Sequence, residues 1–329
     1  MKATRNTLST LYPVKALHLP FLLQLYSFVL LRISQDEFMG GPVISSLFHE
    51  IKKSHVNRCL VRNPLKDGVA YHIASLTIDQ YFELLGHPFE IEHFFGLDQV
   101  CSIADSIFTA WACAEIPERL FSRLFDEFET YEKKYYDSIL NGEEGDWVTI
   151  SEREGVSLME KISEACLFDT GYRSVRRAYA QEIADRILHD RQISAHIAEH
   201  LTNLSNKMNK HDFHAPKTKF VDRVKFPAFV KPILLARDRG KCAVCKIDLT
   251  SELLAKTHVD HIYPLAKGGC NDVVNLQLLC EGCNSKKRAR VWVVESSVPQ
   301  YHERLKRIAK LKQLRSSWDG IRLIRTKYK

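Results

Sequence analysis

The chain has 329 residues, of which 45% are hydrophobic, 26% charged and 10% aromatic. Its length allows about two domains, and its apolar content, with only 14 Gly and 11 Pro, excludes a disordered tail or a fibrous repeat. The net charge of +7 is unevenly spread: residues 1–200 carry 20 Lys and Arg against 29 Asp and Glu, whereas residues 201–329 carry 27 against 11. Clustered cations attract polyanions, so we expect the C-terminal part to have a polyanionic partner; a basic face that only keeps the protein soluble is the alternative.

The cysteine count and the apolar segment at 17–31 indicate where the protein resides. Nine cysteines, an odd number, without a secretory signal argue against a disulfide framework and favour the cytoplasm. The segment has 15 residues and is interrupted by Pro20 and Gln24, so it is too short to span a bilayer and lacks a signal-peptide cleavage site. We expect a buried helix there and no membrane partner.

Apolar residues recur every three or four positions through the acidic part of the chain, a spacing typical of helices. The pattern predicts a mainly α N-terminal domain over 1–205, with an accessory, regulatory or partner-binding role. A stripe in 117–140 ends in Phe128, Tyr131 and Tyr135, which we interpret as core rather than as a platform for stacking bases. The predicted helices are 43–53, 97–113, 117–140, 155–168 and 174–208.

Two basic segments lie on either side of residues 229–292. Residues 206–228 are rich in Lys and His and poor in apolar residues, which indicates a linker. Residues 293–329 repeat leucines on one helical face among many cations, which predicts a basic amphipathic helix. We expect this helix to dock on the first domain; contact with a phosphate backbone or with an anionic membrane are the less favoured alternatives.

Four cysteines form two C-x-x-C pairs, Cys242 with Cys245 and Cys280 with Cys283, separated by 34 residues. Two such pairs provide four thiolates, which close a tetrahedral zinc site and leave no position open for a substrate. We therefore expect a structural Zn²⁺ that ties together a unit too small to depend on its apolar core. Ordinary buried thiols or a redox pair are the alternative interpretation.

Between the pairs, Asp260 and His261 occupy a short predicted strand. A carboxylate suits Mg²⁺ or Mn²⁺, and a neutral imidazole accepts a proton near pH 7. Adjacent strand residues normally point to opposite faces, so a bulge or the end of the strand is needed for both to serve one site. The chain then turns at Gly268-Gly269, returns as a second strand over 273–279, and enters a basic helix after the second cysteine pair.

The motifs D-H-I-x-P-L-x-x-G-G, N-L and C-x-x-C-N-x-x-K, together with the first cysteine pair, occur in this order. They resemble the zinc-ribbon class of HNH endonucleases, whose core is a ββα-metal finger. The resemblance covers about residues 229–290, so we place an α+β nuclease domain at 229–292. It implies that His261 is the general base and that Asn275 holds the loop that orients it. It also implies that Asp260 and Asn284 bind a catalytic divalent metal, for which oxygen ligands favour Mg²⁺ or Mn²⁺.

Cations surround this motif, and as a set we expect them to bind backbone phosphates on either side of the cut. A solvated charged face is the alternative for any one of them. The set is Arg237, Arg239, Lys241, Lys267, Lys286, Lys287, Arg288 and Arg290.

The resemblance implies a metal-dependent endonuclease that hydrolyses phosphodiester bonds, and we favour DNA over RNA as its substrate. By analogy with HNH effectors, we expect a bacterial restriction or antiviral (anti-phage) defence role. The helical domain would regulate the nuclease by covering it, by self-association or by binding a protein partner such as an ATPase subunit. Two alternatives stay open: a zinc-stabilised module that binds nucleic acid without cutting, and the nuclease subunit of a Septu-like or retron complex acting on RNA.

Overall fold

The computed structural model describes residues 17–35, 68–87, 96–141, 146–169, 172–211, 223–250 and 257–292. The chain divides into two compact units, Met1–Val29 with Ser75–Glu182 and Leu30–Ala74 with Ile183–Lys329. The predicted helices at 43–53 and 293–329 lie outside the described residues. The domain limits at 205, 228 and 292 remain predictions.

Helices form the described part of the N-terminal region, as the periodicity predicts. Among the described residues, no helix is both long and apolar enough to cross a membrane. In α1 the side chains of Phe21 and Leu25 are buried, whereas Leu19 and Leu23 are exposed. The helices are α1 Leu19–Gln35, α2 Val69–Leu85, α3 Val100–Cys113, α4 Ser122–Leu140, α5 Asp146–Ile150, α6 Val156–Phe168 and α7 Arg173–His189.

Aromatic side chains fill the core of the first unit. Phe128, Tyr131 and Tyr135 of α4 are all buried, which confirms their interpretation as core residues. Trp111 stacks on Tyr172 with a ring-centroid distance of 4.2 Å. Such pairs add dispersion and quadrupole attraction to the area that they bury, so aromatic packing stabilises this unit together with its buried aliphatic side chains.

The helix predicted over 174–208 is two helices, α7 and α8 (Arg191–His211). They are separated at Asp190, whose Oδ1 accepts hydrogen bonds from the backbone N–H groups of Gln192 at 2.9 Å and Ile193 at 3.1 Å. An aspartate that satisfies the first amides of a helix acts as its N-cap. The capping carboxylate thus starts a new helix where the apolar periodicity alone indicates a continuous one.

The second unit contains a two-stranded antiparallel sheet of β1 (Thr257–His261) and β2 (Leu276–Cys280). Helix α9 (Val230–Arg237) packs on β2, and α10 (Glu281–Lys287) packs on both strands. This confirms the predicted class, a mainly helical N-terminal region followed by a small α+β region. The second strand is shorter than predicted, because residues 273–275 form a 3₁₀ turn capped by Asp272, whose side chain accepts from the N–H of Val274.

Segments from far earlier in the chain complete the second unit. Helix α8 packs on the turn Val273–Asn275, and the side-chain amide of Asn206 donates to the carbonyl of Lys267 at 3.1 Å. The backbone N–H of Val69, at the start of α2, donates to Oδ2 of Asp272 at 3.0 Å. The sheet and its loop are therefore held by elements that precede them by many residues.

Candidate functional site

The four paired cysteines meet in one cluster. Their sulfur atoms all lie within 4.8 Å of one another, and the Sγ atoms of Cys245 and Cys280 are 3.7 Å apart. A zinc ion with Zn–S bonds of about 2.3 Å requires sulfur atoms about 3.8 Å apart at the corners of a tetrahedron. The donor set and its spacing therefore fit a zinc ion.

Backbone amides surround the cysteine sulfurs. The N–H of Cys280 lies 3.4 Å from Sγ of Cys242, and the N–H of Cys283 lies 3.4 Å from Sγ of Cys280. Burial raises the pKa of Cys242, but amide donors from Cys280, Cys245 and Val244 outweigh it and lower the pKa to about 7. These amides thus favour the thiolate at Cys242, which is the form that binds zinc, whereas burial raises the pKa of Cys245 and Cys283.

His261 is the last residue of β1 and is only 3% exposed. Each residue from Thr257 to His261 pairs with one residue of β2, so the strand contains no bulge. Of the two features that would let adjacent residues serve one site, the structure therefore has the strand end. The imidazole Nε2 lies 3.0 Å from Oδ1 of Asn271. A carbonyl oxygen only accepts hydrogen bonds, so Nε2 carries the proton and Nδ1 keeps the lone pair of the neutral ring.

The environment of His261 also sets its charge. Burial lowers the pKa of His261 from its ordinary 6.5, and the positive charges of Arg223 and Lys287 lower it further, against the hydrogen bond to Asn271 and the negative charge of Asp260. The phenyl ring of Phe226 lies 5.6 Å from the imidazole, between centroids. The ring is therefore neutral at pH 7, with Nδ1 able to accept a proton.

The carboxylate of Asp260 is held by donors on one oxygen. Its Oδ2 lies 2.9 Å from Nζ of Lys287 and 3.3 Å from the Nε2 donor of Gln277, the residue opposite it on β2. The same ammonium donates to the backbone carbonyl of His261 at 2.7 Å. Lys287 thus connects α10 to the end of the strand that carries Asp260 and His261.

Asn275 joins the two ends of the loop that follows β1. Its amide donates to the carbonyls of Tyr263 at 2.9 Å and Cys270 at 2.8 Å, and its Oδ1 accepts from the N–H of Tyr263 at 2.8 Å. Gly269 lies inside this loop, where a Cβ atom would collide with the carbonyl oxygen of Tyr263. The buried amide of Asn275 and the lack of a side chain at Gly269 together keep the loop closed around Asn271, the hydrogen-bond partner of His261.

Residues 242–292 match the family model described as HNH endonuclease. The C-terminal region of the chain contains an HNH endonuclease domain. This confirms the resemblance and supports a nuclease that acts on nucleic acid. No curated protein and no solved structure gives a significant match to the chain.

Six of the eight cations predicted to bind phosphate are exposed on or beside the HNH domain, and two are buried. Lys287 is 0% exposed and Arg237 is 6% exposed. The guanidinium of Arg237 donates to the carbonyl of Leu276 at 2.7 Å and to Asp238 at 3.3 Å. The structure thus corrects the placement of these two residues, because their charged groups are used inside the unit. The exposed six are Arg239, Lys241, Lys267, Lys286, Arg288 and Arg290.

Asn284, the second metal ligand implied by the resemblance, lies in α10 three residues before Lys287. Its side chain is half-buried. A carboxylate and an amide oxygen are ligands that suit Mg²⁺ or Mn²⁺, so the chemistry of Asp260 and Asn284 fits a divalent cation.

Sequence reasoning missed three polar residues around the HNH site. Asn271 and Gln277 contact His261 and Asp260, and Arg223 is exposed and near enough for its charge to lower the pKa of His261. None of them occupies a position in the motifs that carry the resemblance. Asn271, the second residue after the Gly268-Gly269 turn, was the one available signal, because a closed loop presents such a side chain to the strand end.

Proposed function

We propose that the protein is a metal-dependent endonuclease that hydrolyses phosphodiester bonds of DNA at the HNH domain. The observation that carries the proposal is the buried His261, which is neutral at pH 7, has its Nε2 proton directed at Asn271, and lies next to the carboxylate of Asp260. A base of this kind, in a domain that matches HNH endonucleases, has the chemistry required to activate a water molecule.

In the proposed reaction, Nδ1 of His261 accepts a proton from a water molecule. The water oxygen attacks phosphorus in line, and the bond from phosphorus to the 3′ oxygen breaks, leaving a 5′ phosphate and a 3′ oxyanion. The oxyanion takes a proton from solvent water to become the 3′ hydroxyl, and His261 returns its proton to solvent. Asn271 keeps Nε2 protonated, so that Nδ1 is the basic atom throughout. Asn275 and Gly269 keep the loop closed, which maintains that hydrogen bond.

Asp260 and Asn284 would hold the divalent cation, and Lys287 would fix the orientation of Asp260. A bound Mg²⁺ or Mn²⁺ supplies positive charge that offsets the negative charge developing on the phosphate and on the leaving oxygen. The cysteine cluster has a different task, since a closed four-thiolate zinc site holds the fold and does not touch the substrate.

The exposed cations support a nucleic-acid backbone as the ligand. Arg239, Lys241 and Lys267 lie outside α10, whereas Lys286 is in that helix and Arg288 and Arg290 follow it. Cations from several segments around one site suit a ligand with charges spaced along a chain. We propose duplex DNA as the substrate, with RNA as the competitor in the test.

We further propose a biological role: a cytoplasmic restriction or anti-phage defence effector whose helical region, or a protein partner that it binds, controls cutting. The support for this role is the resemblance to HNH effectors and the contrast between an acidic helical part and a basic nuclease part. The partner would be a second copy of this chain or an ATPase subunit.

The test is cleavage of plasmid DNA, single-stranded DNA and total RNA by purified protein with Mg²⁺ or Mn²⁺. His261→Ala should cut at least about 100-fold more slowly, the smallest loss expected for a general base, with zinc content unchanged. His258→Ala is the matched control, because His258 lies in the same strand and its buried Nε2 has no hydrogen-bond partner among the described residues. Cutting by H261A at the parent rate would refute the assignment of the base, and metal-independent binding without turnover would favour a binding module.

A further inference from the structure

A buried arginine of α8 contacts Gln277, whose side chain donates to Asp260 of the HNH site. Arg191 is 3% exposed. Its NH1 donates to both carboxylate oxygens of Asp238, at 3.1 and 3.0 Å, and its NH2 donates to Oε1 of Gln277 at 2.8 Å. Arg191 lies outside the residues that match the HNH family, 242–292. A residue from a preceding helix thus reaches the sheet that carries Asp260.

Arg191 and Asp260 together fix which way the amide of Gln277 faces. A guanidinium has only donors, so it must bond to the oxygen of that amide and not to its nitrogen. The nitrogen is then directed the other way, where it donates to Oδ2 of Asp260, an acceptor, at 3.3 Å. Gln277 is 0% exposed, and without Arg191 its amide oxygen loses its 2.8 Å partner and the amide is held only by the longer bond to Asp260.

We infer that Arg191 is a positioning residue for the divalent-cation site and acts on Asp260 through Gln277. The inference rests on the proposed function, in which Asp260 is a ligand of that cation. Lys287 and Gln277 hold the same oxygen of Asp260 from two elements, α10 and β2, so the rotation of the carboxylate depends on both donors. Arg191 sets one of the two.

The cost of burying Arg191 supports a role beyond stability. A buried ion pair is often no more stabilising than apolar residues of the same volume. Arg237 already donates to Asp238 at 3.3 Å, so Asp238 has a second cation. Of the two arginines in this described part of the chain, Arg191 is the one that hydrogen-bonds to Gln277, whereas Arg237 donates to Asp238 and to the carbonyl of Leu276.

The test is Mn²⁺ binding to the full zinc-loaded chain, measured by isothermal titration calorimetry. Arg191→Lys keeps a cation beside Asp238 but cannot fork to both Asp238 and Gln277. We expect about 10-fold weaker Mn²⁺ binding, the lower end for loss of a residue that orients a metal ligand. Gln277→Met should weaken binding similarly, and the double variant should bind as Gln277→Met does, because both changes break one path.

Lys231→Met is the matched control, since it removes one positive charge from an exposed position of α9 and should leave Mn²⁺ affinity within twofold of the parent. Parent-like affinity of R191K, or additive effects in the double variant, would overturn the inference. If R191K unfolds or loses zinc, Q277M alone decides: unchanged affinity overturns the inference, and a tenfold loss supports it. Cutting by the parent and by H261A at saturating Mn²⁺ tests the proposed function separately, because at saturation the rate no longer reports Mn²⁺ affinity.

Discussion

Lys286 and Lys287 are neighbours in α10, and both were predicted from the sequence to bind phosphate, yet the structure gives them opposite environments. Lys286 is exposed, whereas Lys287 is fully buried with Nζ 2.9 Å from Oδ2 of Asp260 and 2.7 Å from the carbonyl oxygen of His261. Replacing each by Met, which has nearly the same length, separates the two roles in one experiment.

Lys287→Met removes one partner of a buried ion pair and leaves a carboxylate buried without its cation. Such a loss costs about 3–5 kcal/mol, a large part of the roughly 5–15 kcal/mol that stabilises a folded domain. Lys286→Met should change the free energy of unfolding by less than about 0.5 kcal/mol, as exposed substitutions usually do. Urea unfolding of zinc-loaded protein measures both.

DNA binding supplies the second half of the test. Each phosphate contact contributes about 0.9 to the slope of log affinity against log salt. Measured in an H261A background, where cutting is blocked, Lys286→Met should reduce that slope by about one contact and Lys287→Met should leave it unchanged. If Lys287→Met is as stable as Lys286→Met and reduces the slope equally, Lys287 is a phosphate ligand and the structural reasoning fails.

Three further predictions concern the site loop, its base and the zinc cluster. Burial lowers the pKa of His261 from 6.5, so the acid limb of the parent's pH–rate profile should lie below that pH. Asn271→Asp raises this pKa and should move the acid limb upward by about one unit; an unmoved limb contradicts the hydrogen bond. Gly269→Ala should destabilise the second unit by about 1–3 kcal/mol in urea unfolding, because the added Cβ overpacks the loop. Gly282→Ala is the control and should not destabilise it, since a Cβ there meets no described atom within 4 Å. Equal stability of the two variants would refute the close approach of Gly269 to Tyr263. Cys245→Ser should lose bound zinc, by elemental analysis, and unfold at a lower temperature; full zinc retention would exclude Cys245 as a ligand.

Local sequence patterns predicted the parts of the nuclease unit that depend on local chemistry. The two cysteine pairs could be recognised because zinc knuckles require that spacing, and the structure brings all four sulfurs together. The first strand and the Gly268-Gly269 turn were also predictable, because Val259 and Ile262 flank the site residues and the φ of +88° at Gly268 follows local rules.

The contacts that depend on tertiary packing could not be read from the sequence. The motif C-x-x-C-N-x-x-K distinguishes Lys287 from Lys286, but it does not say that the ammonium of Lys287 is buried, because that depends on the packing of α10 on the sheet. Arg191 reaches Gln277 across 86 positions, and no periodicity encodes that distance. The break at Asp190 was different: its capping chemistry is local, but the apolar repeat on both sides concealed it.

The contact between Val69 and Asp272 has a consequence for the order in which the protein is made. The two residues are 203 positions apart, and a ribosome adds about 5–20 residues per second. The first turn of α2 is therefore synthesised about 10–40 s before the carboxylate that accepts its N–H, at those rates. Until Asp272 has been made, the N–H of Val69 bonds to water. The end of β1 likewise lacks its contact with Lys287 until α10 has been made. Assembly of the second unit is thus a late event of translation.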